Sequence, residues 1–395
     1  MLENLKVLAF VHYLQGPSCA QIFGDLGADV IKVESPKGAF ERGWSGPDSF
    51  VNGVSVFFML ANRNMRSIAV DLKSEEGKRI IYDLLKEYDV VIENFRPGVM
   101  DKLGFGYTAL KAVNPRVIYC SLSGFGSSGP YKDRPGQDLL AQSMGGIVEM
   151  TGSGRPTPVG TSFADAHSAT LAAVGILAAV NNRQVTGKGH KVDVNLVESV
   201  LNLQMEPYAY YLNTPEKIWP SRLPTGLANR FQSAPYGVYE TKDGAISISL
   251  CKHADMLKVL EPGCLDGFTA QDAVDRRDEY DAVVSRQLKK KTTDEWCRIF
   301  AEHGIWHTKP YTYQDIENDP QIQWNQSIIT MHHPKAGDVR VLNHPIKYDG
   351  EATKVRRLPP EKGADSREIL LEAGYAEERI QRLRREGVIV WDDPD

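Results

Sequence analysis

SIAVDLKSEEGKRIIYDLLKEYDVVIENFRPG, residues 67–98, holds one full strand–helix–strand unit. Ser67–Leu72 alternates like a strand. Ser74–Leu85 carries apolar residues at helical spacing and opens on a serine cap, with a first-turn glutamate expected to complete a capping box. Val90–Ile92 is a short apolar run, as buried parallel strands show. The same rhythm continues on both sides. Leu5–Phe10 is an apolar run broken by Gly16-Pro17. Ser18–Leu26 reads as a helix stopped by Gly27, and Asp29–Val33 and Val117–Leu122 are further short strands. Strand, helix and strand in this order predict the α/β fold class, with a doubly wound large domain built on a largely parallel sheet.

Further along, Asp165–Asn182 reads as a long helix with Ala and Leu on all faces, so it is expected to be buried. The strand His190–Val194 and the helix Leu196–Tyr211 follow. Ile218–Gln232 is rich in Pro, Gly and polar residues and marks a domain boundary. Tyr236–Glu240 and Ala245–Leu250 flank Lys242-Asp243-Gly244 and read as a hairpin. Short helices are expected to about Asn325, strands within Met331–Lys347, and a charged amphipathic helix, interrupted at Gly374, over Ser366–Glu386. The expected division is a large α/β domain over 1–218, a smaller α+β domain over 219–330, and a return segment with C-terminal helices packing on the large domain over 331–395.

A chain of 395 residues exceeds what one hydrophobic core holds. Its formal net charge of -5 argues against a nucleic-acid surface and against attraction to anionic membranes. No apolar run reads as a membrane span, and Met1–Leu14 makes a poor signal peptide, so a cytoplasmic protein is expected. Cys19, Cys120, Cys251, Cys264 and Cys297 form no CxxC pair, and the histidines show no HExxH pattern. Neither a disulfide framework nor a metal site is expected. Phosphate-cradling GxGxxG and GxxxxGK[ST] motifs and the GxSxG elbow are absent from the sequence.

Ligands of open α/β sheets bind beyond the carboxyl ends of the strands. Four turn-rich segments qualify: His12–Cys19, Glu93–Phe105, Ser123–Asp138 and Val159–His167. The last brings Asp165 to the start of an apolar helix. Asp is a favoured helix cap. It is also a carboxylate that the helix terminus can hold ionised and aim at a thioester carbonyl. Both readings stand on the residues alone. In the second segment Asn94 offers an amide, Phe95 an aromatic face and Arg96 a guanidinium, a set suited to a phosphorylated ligand or to an ordinary surface loop. Asn62–Arg66 and Lys73 add positive charge nearby in sequence.

Taken together, GPSCAQIFGDLGADVIKVE, NRNMRSIAVDLKSEEGK, ENFRPGVMDKLGFGY, NPRVIYCSLSGFGSSGPYKDRPGQD, VGTSFADAHSATLA and GKGHKVDVNLVES resemble the class III CoA transferase (CaiB/BaiF) family in order and spacing. SAPYGVY, DIENDPQ and HPIKY extend the likeness. The resemblance implies a ping-pong transfer in which Asp165 is the nucleophile, passing through a mixed anhydride and an aspartyl-CoA thioester. The coenzyme A thioester is then a substrate, and no cofactor is implied. It implies CoA contacts at Leu72, Lys73, Asn94, Phe95, Lys102 and Leu103, with Arg96 in the same turn. An intertwined, ring-like homodimer is implied as well. Formyl-CoA transferases carry a Gln where Leu14 stands here, an aromatic in place of Gln137, and a glycine-rich loop without counterpart in Pro224–Gly237. These departures argue against oxalate and formate as substrates. Related racemases carry a His where Gln137 stands, and Gln cannot shuttle a proton. His12, Gln15, Gln137 and His167 are expected to line a polar acyl pocket. Such a pocket suits a small carboxylate, in particular a dicarboxylate such as succinate, mesaconate or itaconate. The leading expectation is CoA transfer from an ester such as succinyl-CoA. An acyl-CoA racemase and a non-catalytic CoA-binding protein are the alternatives.

Overall fold

In Lys6–Phe10 every residue but the first is buried, because this strand (β1) sits at the middle of a sheet covered on both faces. The computed structural model describes residues 1–214, 216, 228 and 231–392. The sheet continues through β2 (Asp29–Glu34), β3 (Arg66–Val70), β4 (Val90–Glu93), β5 (Ile118–Ser123) and β6 (Lys191–Asn195) in the spatial order 3-2-1-4-5-6. All five pairings among them are parallel. A seventh strand, Ile389–Val390, closes the β3 edge in the antiparallel sense and has no signal in the sequence pattern.

Alternate residues feed the two faces. Leu8 and Phe10 pack on one side with Ile80, Ile81, Leu84, Ile369, Leu370 and Ile380. Val7 and Ala9 pack on the other with Ala20, Phe23, Ala172, Ala173 and Ile176. Each fully buried Ile or Leu here is worth about 1.5–3 kcal/mol against exposure. The second face is formed by α1 (Gln15–Asp25) and α2 (Phe163–Thr186). Helix α1 begins before Gly16-Pro17 rather than after it. Pro is tolerated there because first-turn N–H groups have no intrahelical acceptor.

Two expectations for helices change and one holds. Ser74 caps Glu75–Leu85 by accepting from Gly77 N, but the third helical residue is Gly77, so no carboxylate completes a capping box. The stretch 196–211 is two helices, Leu196–Leu203 and Met205–Asn213. Ser366–Glu372 and Glu377–Arg385 are separate helices, divided at Gly374 with its φ of 81°, as the sequence led one to expect. Helix α2 departs further. It is long and apolar enough to cross a membrane by length and composition, and it is only partly buried. One face fills the core; Val174 on another is 59% exposed.

The chain divides into two compact units, Met1–Ala141 with Ser162–Val200 and Pro320–Asp395, and Gln142–Thr161 with Leu201–Asp319. The changes of unit at 200/201 and 319/320 compare with the expected 218/219 and 330/331. Residues 218–232, where the linker was expected, fall mostly outside the described residues, as does the first part of Pro224–Gly237. The second unit holds an antiparallel sheet of β7 (Gly237–Glu240), β8 (Ala245–Ser249) and β9 (Trp306–Thr308), with β8 central. Tyr239, Ile246, Trp296 and Phe300 form its own core. The expected strands before Lys347 are the hairpin Ile328–His333/Gly337–Leu342 of the first unit.

Candidate active site

The order 3-2-1-4-5-6 reverses between β1 and β4, so their outgoing chains part and leave a crevice at the carboxyl edge. Asn94 occupies the split. Its Oδ1 accepts the His12 N–H at 2.9 Å and its Nδ2 donates to the His12 carbonyl at 2.8 Å. The side chain thereby mimics one more rung of a sheet. Tyr13 follows in the left-handed region, with φ of 60°, and turns the chain into α1. Gly16 must lack a side chain, because a Cβ there would sit 2.8 Å from Asn94 Cγ. Beneath this turn Glu93 accepts the Phe95 N–H at 2.9 Å. Burial lifts its carboxyl to about 7, against hydrogen bonds from Ser121 and Tyr119. Asn94 was expected to reach a ligand. Part of its amide is committed to His12 instead.

A cavity of about 510 Å3 opens over this split. It brings together His12, Gln15, Asn94, Phe95, Arg96, Gln137 and Asp165 of the residues expected from sequence, all within the first unit. His167, Leu72, Lys73, Lys102 and Leu103 are not among its walls. Leu72 and Leu103 pack, with Phe95, on the core of one sheet face, while Lys73 and Lys102 are exposed. Gln15 is buried and its amide donates to Ser168 Oγ at 2.9 Å, tying α1 to α2. His12 is half-buried, and burial keeps it below its ordinary value and so neutral. The basic run before β3 is spent elsewhere: Arg63 pairs with Asp25, and Arg66 with Asp29 and Glu372.

Asp165 sits in the first turn of α2, yet it does not cap the helix. Asp138 does: its Oδ1 accepts Ala164 N at 2.7 Å and Asp165 N at 3.2 Å. That leaves the Asp165 carboxyl without a hydrogen bond among the described residues. Burial first, and then the charge of Asp138, raise it to about 7. The sequence suggested a carboxylate held ionised by the helix terminus. The structure gives those N–H groups to a second acid, so Asp165 is the more basic and more nucleophilic for it.

Several walls of the cavity had no sequence signal. Trp44 and Phe57 line it with Tyr13 of the segment His12–Cys19, and Phe40 bridges Tyr13 and Trp44 at ring distances of 5.3 and 6.1 Å. Trp44 meets Phe57 edge-on at 4.9 Å. The turn bearing Phe40 is fixed by Glu41, whose ion pair with Lys32 of β2 is fully buried at 3.0 Å, and by Arg42, paired with Glu34 at 2.6 Å. Lys132 and Arg134 come from the loop after β5, a segment the sequence did single out. Gly124 and Gly136 close that loop at its base. A Cβ on Gly124 would lie 2.3 Å from the Gly136 Cα, so the two backbones can meet only as glycines. Among the described residues no group of three or more His, Cys, Asp or Glu could hold a metal ion.

The model of CoA-transferase family III matches residues 2–366. The succinyl-CoA:glutarate CoA-transferase of Mus musculus is 33% identical, with 98% of this chain and 90% of that protein covered. The succinyl-CoA–D-citramalate CoA-transferase of Chloroflexus aurantiacus is also 33% identical, covering 98% of each. Among solved structures, a CaiB/BaiF family protein from Brucella suis superposes with a TM-score of 0.82 at 33% identity, over 94% of this chain and 99% of that one.

Proposed function

The chain belongs to CoA-transferase family III, and from that membership we propose that it moves coenzyme A from an acyl-CoA donor such as succinyl-CoA to a small carboxylic acid, with Asp165 as nucleophile. The observation that carries this reading is Asp165 itself, unpaired on the wall of a cavity and relieved of capping by Asp138. An Asp165 oxygen attacks the thioester carbonyl; the C–S bond breaks and CoA leaves as thiolate, giving a mixed anhydride. The thiolate then attacks Asp165 Cγ, the donor acid departs as carboxylate, and an aspartyl-CoA thioester remains. The acceptor carboxylate runs both steps in reverse order and restores Asp165. Charge balances without a net proton, so the site needs a nucleophile and not a proton shuttle. Gln137 on the same wall suits that requirement, since an amide carries no proton between substrates.

The aromatic wall from Tyr13 to Phe57 offers apolar area for the acyl chain or the pantetheine arm. We place the CoA phosphates at the Arg96 side, as the resemblance implies. The working form we propose is an intertwined homodimer, for which the open apolar face of α2 is the support.

The test is mass spectrometry after incubation with acyl-CoA esters and hydroxylamine, which traps activated carboxylates. A hydroxamate on Asp165 is expected with at least one ester, and none in Asp165→Asn. An unmodified protein that still binds CoA would leave Asp165 without a covalent role.

A further inference from the structure

We infer that the loop between Gly124 and Gly136 forms a subsite for a second carboxylate on the acyl group, with Arg134 as the residue that selects dicarboxylic substrates; this rests on the transfer reading above. Arg134 and Lys132 line the same cavity as Asp165 and Gln137. Both are exposed, and among the described residues neither they nor Arg96 on the same cavity has a carboxylate within ion-pair distance, whereas the more buried Arg42, Arg63, Arg66 and Arg183 of the same unit are all paired. The exposed Arg134 guanidinium sits over the Tyr131 ring, its Cζ 3.7 Å from the ring centroid. A guanidinium held over a ring keeps N–H donors at its rim, and two of them suit a carboxylate by parallel bonds.

The loop holds that fork in place. Its base is pinned by the Gly124–Gly136 crossing, two residues from Arg134. Gly126 N donates to Ser123 Oγ at 3.0 Å, and Arg134 N to the Tyr131 carbonyl at 2.9 Å. Phe125 meets the Tyr131 ring edge-on at 6.3 Å from within the same loop. Asp165 and Arg134 line one cavity, so an acyl group whose thioester end lies at Asp165 shares that space with this cation. A dicarboxylate places its free carboxylate there. A monocarboxylate of equal length leaves the fork in water and gains nothing from it. The acids Asp165 and Asp138 on the same cavity make an unpaired substrate carboxylate unwelcome elsewhere.

Binding separates this proposal from the chemistry. In Asp165→Asn, which cannot turn over, calorimetry with succinyl-CoA and butyryl-CoA compares two esters of the same chain length. Succinyl-CoA is expected to bind the tighter. Adding Arg134→Gln should weaken succinyl-CoA by about tenfold or more and butyryl-CoA by less than about threefold. Arg134→Lys should recover part of the loss, as a charge without the fork. Equal weakening of both esters would assign Arg134 to the CoA phosphates and overturn the subsite, and so would no weakening of either. Failure of the covalent reading shows separately, as absence of the Asp165 hydroxamate in the parent enzyme.

Discussion

Asp138 takes the capping task that the sequence offered to Asp165, and leaves Asp165 free for the role proposed for it. At the start of an apolar helix, an aspartate reads equally as cap or nucleophile. The capping role goes to an acid 27 positions earlier, whose oxygen reaches Ala164 N and Asp165 N. No periodicity links them, because the link is made by the fold. The division has a pH signature. Asp165 sits near 7, so its carboxylate is protonated, and the nucleophile lost, as pH falls below that value. The rate constant kcat/KM is expected to rise with pH through about 7 and then level. Asp138→Asn keeps an oxygen for the cap but removes the charge that helps hold Asp165 up. Its acid limb should move down by about one pH unit. An unmoved limb, measured alongside unchanged thermal stability, would leave burial alone as the cause of the raised value.

At the scale of elements, the strands were readable and their outgoing loops only in part. The apolar runs that become β1 to β6 have their period in the side chains themselves, so they are found within a residue or two. The segments after β1, β4 and β5 were recognisable as site-forming because strand ends and turn residues mark them. Which side chains they turn inward was recognisable only in part: His12, Gln15, Asn94, Phe95, Arg96 and Gln137 line the cavity as expected, while Lys102 stays off it and Arg134, not expected, lines it. The reason is physical. Loop direction is set by close backbone approaches, and a glycine pair 12 positions apart carries no visible pattern. Gly136→Ala tests that account. Its Cβ would meet the Gly124 Cα at 2.4 Å, a contact that no side-chain rotation relieves. A loss of about 1–3 kcal/mol of stability is expected in denaturant titration. Loss of transfer at temperatures where the variant is still folded should accompany it, because the loop bears one wall of the site. Full activity in a folded variant would show that the crossing does not set the wall.

On the scale of the whole molecule, the strand–helix rhythm gave the large domain, while the resemblance alone implied a homodimer. The apolar face that α2 leaves open points to burial against a second copy. Val174, 59% exposed on that face, is the residue to test. Val174→Glu is expected to shift sedimentation from dimer toward monomer, or to lower the concentration-dependent stability of the dimer. Parent protein sedimenting as a monomer at micromolar concentration would remove this reading. The first unit also borrows its last strand from far away. Ile389–Val390 pairs with β3, and Ile369, Leu370 and Ile380 complete the core on one sheet face. During synthesis β3 leaves the ribosome roughly 320 residues before that partner. At the usual pace of translation this is an interval of roughly 16 to 60 seconds. Throughout it, a hydrophobic strand edge stands unpaired in a crowded cell, which makes the newborn chain, more than the finished enzyme, a client for chaperones.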